Sequence, residues 1–112
     1  MIKMIAFLKK KEGVTSEEFS RYWFEKIGPL AASTMPGFRR YVQNHAVQLP
    51  NATGTPRFDG VTEIWFDDVE ALQKFFKAAL SDEGEELRTE EDKIFDAEKN
   101  FFFIAEEKVI VP

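Results

Sequence analysis

The sequence predicts an α+β fold of the ferredoxin-like type: a four-stranded antiparallel sheet with helices on one face. Three observations predict it. Hydrophobic periodicity alternates between strand and helix in the order strand, helix, strand, strand, helix, strand. Two capping-box patterns, Thr15 with Glu18 and Asp67 with Glu70, open the helical stretches. Turn residues gather between the elements, at Gly13, Pro36-Gly37 and the Leu49–Asp59 stretch. Two strand–helix–strand units with right-handed crossovers then give the four-stranded sheet.

The first strand spans Ile2 to Lys9 and is largely apolar on both faces, as suits a strand covered on both sides. In the first helix Phe19, Trp23 and Ile27 recur every four residues and form an apolar stripe flanked by Tyr22. Gly28-Pro29 predicts a kink or break there, because proline lacks the backbone donor and crowds the preceding turn. The helix resumes to Thr34 and stops at Pro36-Gly37. The second strand runs from Phe38 to Gln48, the loop from Leu49 to Asp59, and the third strand from Gly60 to Phe66. Asp67 caps a helix with Leu72, Phe75, Phe76, Ala79 and Leu80 on its apolar face. After a break at Ser81–Gly84, an acidic helix runs from Glu85 to about Glu98, and the last strand from Phe101 to Val111.

Helices cover only one face of such a sheet. Phe7, Trp65, Phe101 and Phe103 then need cover on the other, and a second copy of the sheet supplies it. The expected assembly is a homodimer whose two sheets form a barrel, with a cavity in each protomer.

A length of 112 residues fits one domain. The absence of cysteine rules out disulfides and thiolate chemistry and fits a reducing, cytoplasmic setting. The N-terminus does not read as a signal peptide, and no apolar run reaches the roughly 20 residues of a membrane span. A net charge of −5 argues against a nucleic-acid partner. The acids gathered from Asp82 to Lys93 read as a solvated helix face or an acidic docking patch.

The only histidine, His45, lies in the run Gly37-Phe38-Arg39-Arg40-Tyr41-Val42-Gln43-Asn44-His45. Alternation puts Tyr41, Gln43 and His45 on one strand face. If Gln48 pairs near Gly60, His45 falls opposite Glu63 and Gln43 opposite Trp65, all on the helix-free face, with Thr62, Ile64 and Phe66 toward the helices. A carboxylate beside an imidazole raises its pKa and fixes its tautomer, so His45 reads as acid/base with Glu63 orienting it. The other reading is a structural pair. Tyr41, Gln43, Trp65, Phe7, Trp23 and Ile27 are the expected substrate-binding residues, with barrel or dimer core as the other reading of Tyr41 and Trp65. Asp59 reads as a turn residue. Arg39 and Arg40 read as surface charge, or as partners of the acidic helix or of a substrate carboxylate. No ligand spacing suggests a metal, and no glycine loop suggests a phosphate cradle.

Several runs resemble EthD-domain proteins: Met1-Ile2-Lys3-Met4-Ile5-Ala6-Phe7-Leu8-Lys9-Lys10-Lys11, Glu18-Phe19-Ser20-Arg21-Tyr22-Trp23, Gly28-Pro29-Leu30-Ala31, Pro36 through His45, and Phe58 through Phe66. The resemblance implies a dimeric α+β barrel. The family is named for a protein needed, beside a haem-thiolate monooxygenase system, for bacterial breakdown of fuel ethers. Similar domains serve as polyketide-tailoring dehydratases and decarboxylases, and muconolactone isomerases use a related barrel. These are cofactor-free proton transfers on cyclic or aromatic compounds. Relatives usually carry a histidine directly before the Gly-Pro or Ala-Pro of the first helix, where this chain has Ile27. The expected function is therefore binding of a small hydrophobic, cyclic or aromatic molecule, with lyase or isomerase chemistry through His45 and no cofactor. The alternatives are a non-catalytic carrier or accessory protein for an oxygenase, and a cofactor-free oxygenase.

Overall fold

In the computed structural model, which describes residues Met1–Pro112, four strands form one antiparallel sheet: β1 (Ile2–Leu8), β2 (Phe38–His45), β3 (Gly60–Phe66) and β4 (Phe101–Glu106), in the spatial order β2-β3-β1-β4. The helices α1 (Ser16–Tyr22), α2 (Gly28–Thr34), α3 (Val69–Ala79) and α4 (Glu85–Glu91) supply the second layer. This is the ferredoxin-like arrangement that the periodicity predicts.

The core lies between the layers. Phe19, Trp23 and Ile27 from the first helical segment and Phe66 from β3 are essentially inaccessible to solvent. The apolar stripe of the sequence is thus the main packing surface. Thr15 caps α1, its hydroxyl accepting from the Glu18 N–H at 3.1 Å. The predicted interruption at Gly28-Pro29 takes a specific form. Trp23–Ile27 is one turn of π-helix, in which the Gly28 N–H donates to the Trp23 carbonyl five residues back. The wider turn accommodates the missing donor of Pro29, and the chain passes into α2 with Ile27 and Gly28 still in the right-handed helical region.

Several boundaries move. The N-cap of α3 is Asp68, which accepts from the Ala71 N–H at 2.8 Å, whereas Asp67 is taken by Arg39. Helix α4 stops at Glu91. The residues after it instead hydrogen-bond the chain leaving β1, through Lys11 N–H to Ile94 O and Asp96 N–H to Lys9 O. Tertiary backbone pairing thereby buries Ile94 and Phe95, whose spacing had read as helix. Strand β2 ends at His45, three residues short of Gln48, and β4 ends at Glu106, not Val111.

The register of β2 against β3 carries the largest correction. His45 pairs with Gly60, Gln43 with Thr62, Tyr41 with Ile64 and Val42 with Glu63. The expected register is off by three residues, an odd number, so the faces of β2 invert. A bulge at Arg39 assists: Phe38 pairs with Phe66 but Arg40 with Trp65. The extra residue lets both Phe38 and Tyr41 point toward the helices, their rings 6.4 Å apart. Tyr41, Gln43 and His45 therefore lie beneath the helices. Glu63, Trp65 and Phe7 lie on the opposite face, as expected for them.

Candidate active site

His45 is held from three sides. Its ring lies against the Trp23 indole at 4.4 Å between centroids. Nδ1 is 2.5 Å from the Ser20 hydroxyl and Nε2 is 2.9 Å from Gln43 Oε1. Gln43 Nε2 in turn donates to the Trp23 carbonyl at 2.9 Å and to the Tyr41 hydroxyl at 3.1 Å. The direction of this chain follows from its fixed end. A backbone carbonyl only accepts, so the Gln43 amide must present its NH₂ to Trp23 and its oxygen to His45. His45 Nε2 must then carry the proton, and Nδ1 accepts from Ser20. Burial lowers the His45 pKa, which keeps the ring neutral and supports this tautomer.

Two glycines make room for the arrangement. A Cβ on Gly28 would lie 2.9 Å from Gln43 Nε2, and one on Gly60 would lie 2.5 Å from the Trp23 ring. The π-turn thus brings the Trp23 carbonyl to Gln43, and Gly28 lets the amide approach it.

The same chain fixes Tyr41. Its oxygen accepts from Gln43, so its own O–H is free to donate elsewhere. Tyr41 borders an open groove with Gln43 and His45 on one side. On the other it lines a half-open cavity of about 330 Å³ between the sheet and helices α3 and α4. This volume is in the range of small-molecule sites. Met4, Ala6 and Ile64 form part of its floor, and Phe75, Phe76 and Leu87 part of its helical wall. Burial raises the Tyr41 pKa, so the phenol stays protonated at neutrality.

Glu91 also lines this cavity. Burial is the main cause that raises its carboxyl to about 7, with Asp92 adding and Arg88 opposing. No hydrogen bond from the protein relieves the group, and its place in the last turn of α4 sets it against the negative end of that helix. A carboxyl half ionised at neutral pH in an apolar cavity is suited to general acid–base work. Sequence reading placed Glu91 with the solvated acids. A signal was nevertheless present: Leu87, Glu91 and Phe95 recur every four residues, which put Glu91 in an apolar row.

The expected His45–Glu63 pair does not form. Glu63 is bound by Lys3 at 2.7 Å and by Asn44 at 2.9 Å on the helix-free face. Lys3 chiefly holds its carboxyl below the usual range. Trp65 lies between Lys3 and Arg40, whose charged groups sit 4.8 and 4.6 Å from its ring, and its N–H donates to Glu107. These side chains leave Trp65 only 7 % exposed without a partner subunit. Phe7 stacks with Phe101 and Phe103 on that same face. Of the expected site residues, the structure brings His45, Tyr41, Gln43 and Trp23 together, with Ile27 buried in the adjoining core. Glu63, Trp65 and Phe7 form a separate group. Asp59 lies at a bend just before β3, its backbone bonding Leu8 and Ala46 and its carboxylate accepting from the Lys10 N–H. Arg39 pairs with Asp67 at the surface rather than with the acidic helix. No three His, Cys, Asp or Glu side chains converge closely enough to hold a metal ion, and no helix is long and apolar enough to cross a membrane.

The family model for the EthD domain matches residues 11–98. This chain belongs to the EthD-domain family. A crystal structure of an EthD (ethyl tert-butyl ether D) family protein from Bacillus halodurans is 29% identical, with a TM-score of 0.69 over 96% of this chain and 99% of that one. SnoaB from Streptomyces nogalater, described as a cofactor-independent oxygenase, is 13% identical with a TM-score of 0.64 over 99% of this chain and 96% of its own. A dimeric ferredoxin-like protein of unknown function from Bacteroides fragilis is 15% identical with a TM-score of 0.62 over 95% of each chain. These last two share the fold. No curated protein matches the chain. Within the EthD family this member has Ile27 before its Gly-Pro, and Ile27 sits in the dry core at 1 % exposure.

Proposed function

We propose that this EthD-domain protein binds a small hydrophobic cyclic or aromatic molecule between sheet and helices and catalyses proton transfer on it without a cofactor. The observation that carries this reading is the pairing of Glu91 with Tyr41 on one apolar cavity. The Glu91 carboxylate takes a proton from carbon next to a carbonyl. The electron pair moves toward the carbonyl oxygen, where the Tyr41 O–H donates a hydrogen bond. Glu91 then returns the proton to the same or a conjugated carbon, which is isomerisation, or the intermediate expels a leaving group, which is a lyase reaction. His45 and Gln43 act as positioning residues in this scheme, because they fix which way the Tyr41 hydroxyl points.

Exchange of the α-protons of 2-tetralone in D₂O, followed by NMR, tests the chemistry without knowledge of the natural substrate. Wild type is expected to catalyse exchange. Glu91→Gln should lower the rate by on the order of 10²-fold or more, and His45→Ala by about tenfold with the pH midpoint still near that of Glu91. If His45→Ala abolishes exchange while Glu91→Gln does not, His45 is itself the acid/base. The burial of Ile27 where relatives usually have histidine favours a second reading, a non-catalytic carrier. That reading predicts saturable binding of 2-tetralone with no exchange. The oxygenase reading predicts oxygen consumption, which an electrode detects.

The assembly we propose is a homodimer through the helix-free sheet face. Phe101 and Phe103 are 52 % and 48 % exposed there and continue the aromatic group of Phe7 and Phe58. A contiguous apolar patch of this kind marks an interface, and the Bacteroides protein with this fold is described as dimeric.

A further inference from the structure

We propose that the molecule taken into the cavity is an acid, an apolar ring system bearing a carboxylate or comparable anionic group, and that Arg88 receives that group beside Glu91. This deepens the cavity reading and rests on it. Of the residues lining the cavity, Tyr41, Arg88 and Glu91 alone are ionisable, and Arg88 is the only cation. Arg88 is three residues before Glu91 on α4, so the two project from the same side of the helix. Arg88 is half-buried, and its Nη1 donates to the carbonyls of Ala79 and Ser81 where α3 ends. Nε and Nη2 have no acceptor within the chain. A planar fork held through Nη1 on a residue that lines an apolar cavity, with its other donors unmatched within the chain, is pre-organised for a carboxylate.

The neighbourhood decides what binding does to Glu91. Around it are Arg88 and Asp92 from the end of α4 and Tyr41 from β2, while the lining from β1, β3 and α3 carries no charge. An anion engaged by Arg88 withdraws the one charge that favours ionised Glu91 and adds a like charge nearby. Glu91 must then take up a proton as the ligand enters. The Glu91 carboxylate that takes the carbon proton then forms only at higher pH, so proton transfer on an acid should have its pH midpoint shifted upward.

The test uses 2-naphthoate and methyl 2-naphthyl ketone, which share a ring and differ in charge, with titration calorimetry on the full chain. Wild type is expected to bind the naphthoate about tenfold or more tightly than the ketone, as a charge-assisted hydrogen bond in a sheltered site allows. Binding of the naphthoate at pH 7 should take up as much as about half a proton, read from its heat in buffers of different ionisation enthalpy. Arg88→Gln should remove the preference and leave ketone affinity unchanged. Arg88→Lys, which keeps the charge, should keep part of the preference and guards against a folding defect from the lost Ala79 and Ser81 contacts. Glu91→Gln should abolish the proton uptake. If the ketone binds as tightly as the naphthoate, or if Arg88→Gln leaves the preference intact, the acid-recognition proposal is overturned and the cavity reading stands. If neither compound binds, both are overturned.

Discussion

Replacing Glu91 with glutamine should stabilise the protein, and more so as pH rises. A carboxyl near 4.5 in the unfolded chain that titrates at about 7 in the fold is bound to its proton more tightly in the native state. Folding stability from this group is therefore fully present below pH 4.5, falls between 4.5 and 7, and is lost above 7. The displacement of about 2.5 pH units corresponds to about 3 kcal/mol at 1.36 kcal/mol per unit. Glutamine has nearly the same shape and never ionises, so it carries no such term. Urea denaturation of both proteins should give similar midpoints at pH 4. At pH 8.5 the Glu91→Gln midpoint should be higher by about 2 M, taking a urea slope of about 1.5 kcal/mol per M. The other carboxylates titrate in both proteins and cancel in the difference. A difference that stays flat from pH 4 to 8.5 would refute the argument: the carboxyl would then be hydrated, and the cavity too wet to hold a neutral acid at pH 7.

Phe103→Glu places a charge in the exposed aromatic patch beside Ile5 and Phe7, and should convert a dimer to a well-folded monomer by light scattering. A monomeric wild type at micromolar concentration would end the dimer proposal. Gly60→Ala drives a methyl group into the Trp23 ring at 2.5 Å; the overpacking should cost about 1 to 3 kcal/mol and lower the melting temperature accordingly. An unchanged melting temperature would mean that the indole is loosely held. Lys3→Met leaves Glu63 and Glu107 without their shared cation. Lys3 holds both carboxyls below the usual range, so this stabilisation is present above about pH 4.5 and lost as pH falls through the depressed values. The variant should have a lower urea midpoint than wild type at pH 7, with the gap closing toward pH 3.

The layer architecture was legible because it depends on periodicity, which is a local property. Phe19, Trp23 and Ile27 could only be one face of a helix, and Thr62, Ile64 and Phe66 one face of a strand. The π-turn was half legible: Pro29 demanded an interruption, but whether the chain breaks or widens depends on Gln43 reaching the Trp23 carbonyl from another element. The site was less legible because it depends on parity between strands. Where β2 ends is set by the pairing of His45 with Gly60 and of Ala46 with Asp59, long-range hydrogen bonds that leave no periodic trace. An error of three residues turned His45 from the helical side to the open side and gave it the wrong carboxylate.

That inversion changes what the histidine run means. On the open face, Tyr41, Gln43 and His45 would have joined Glu63 and Trp65, where Lys3 and Asn44 already bind the Glu63 carboxylate and Glu107 accepts from the Trp65 N–H. On such a face the Glu63 carboxylate is already ion-paired within the chain and is not available to act on a ligand. On the helical face the same residues form a directed hydrogen-bond chain, and that chain ends in a hydroxyl whose proton has no partner within it. On the same cavity lies a carboxyl that the fold has partly desolvated without supplying a donor. Neither group contributes what it could to stability. Glu91 in fact opposes folding above neutrality, and an apolar residue at that position would continue the Leu87–Phe95 row at no such cost. An uncompensated acid and an oriented free donor facing one apolar space are costs the fold carries without structural return. A ligand that supplies their missing partners gives that expense a purpose.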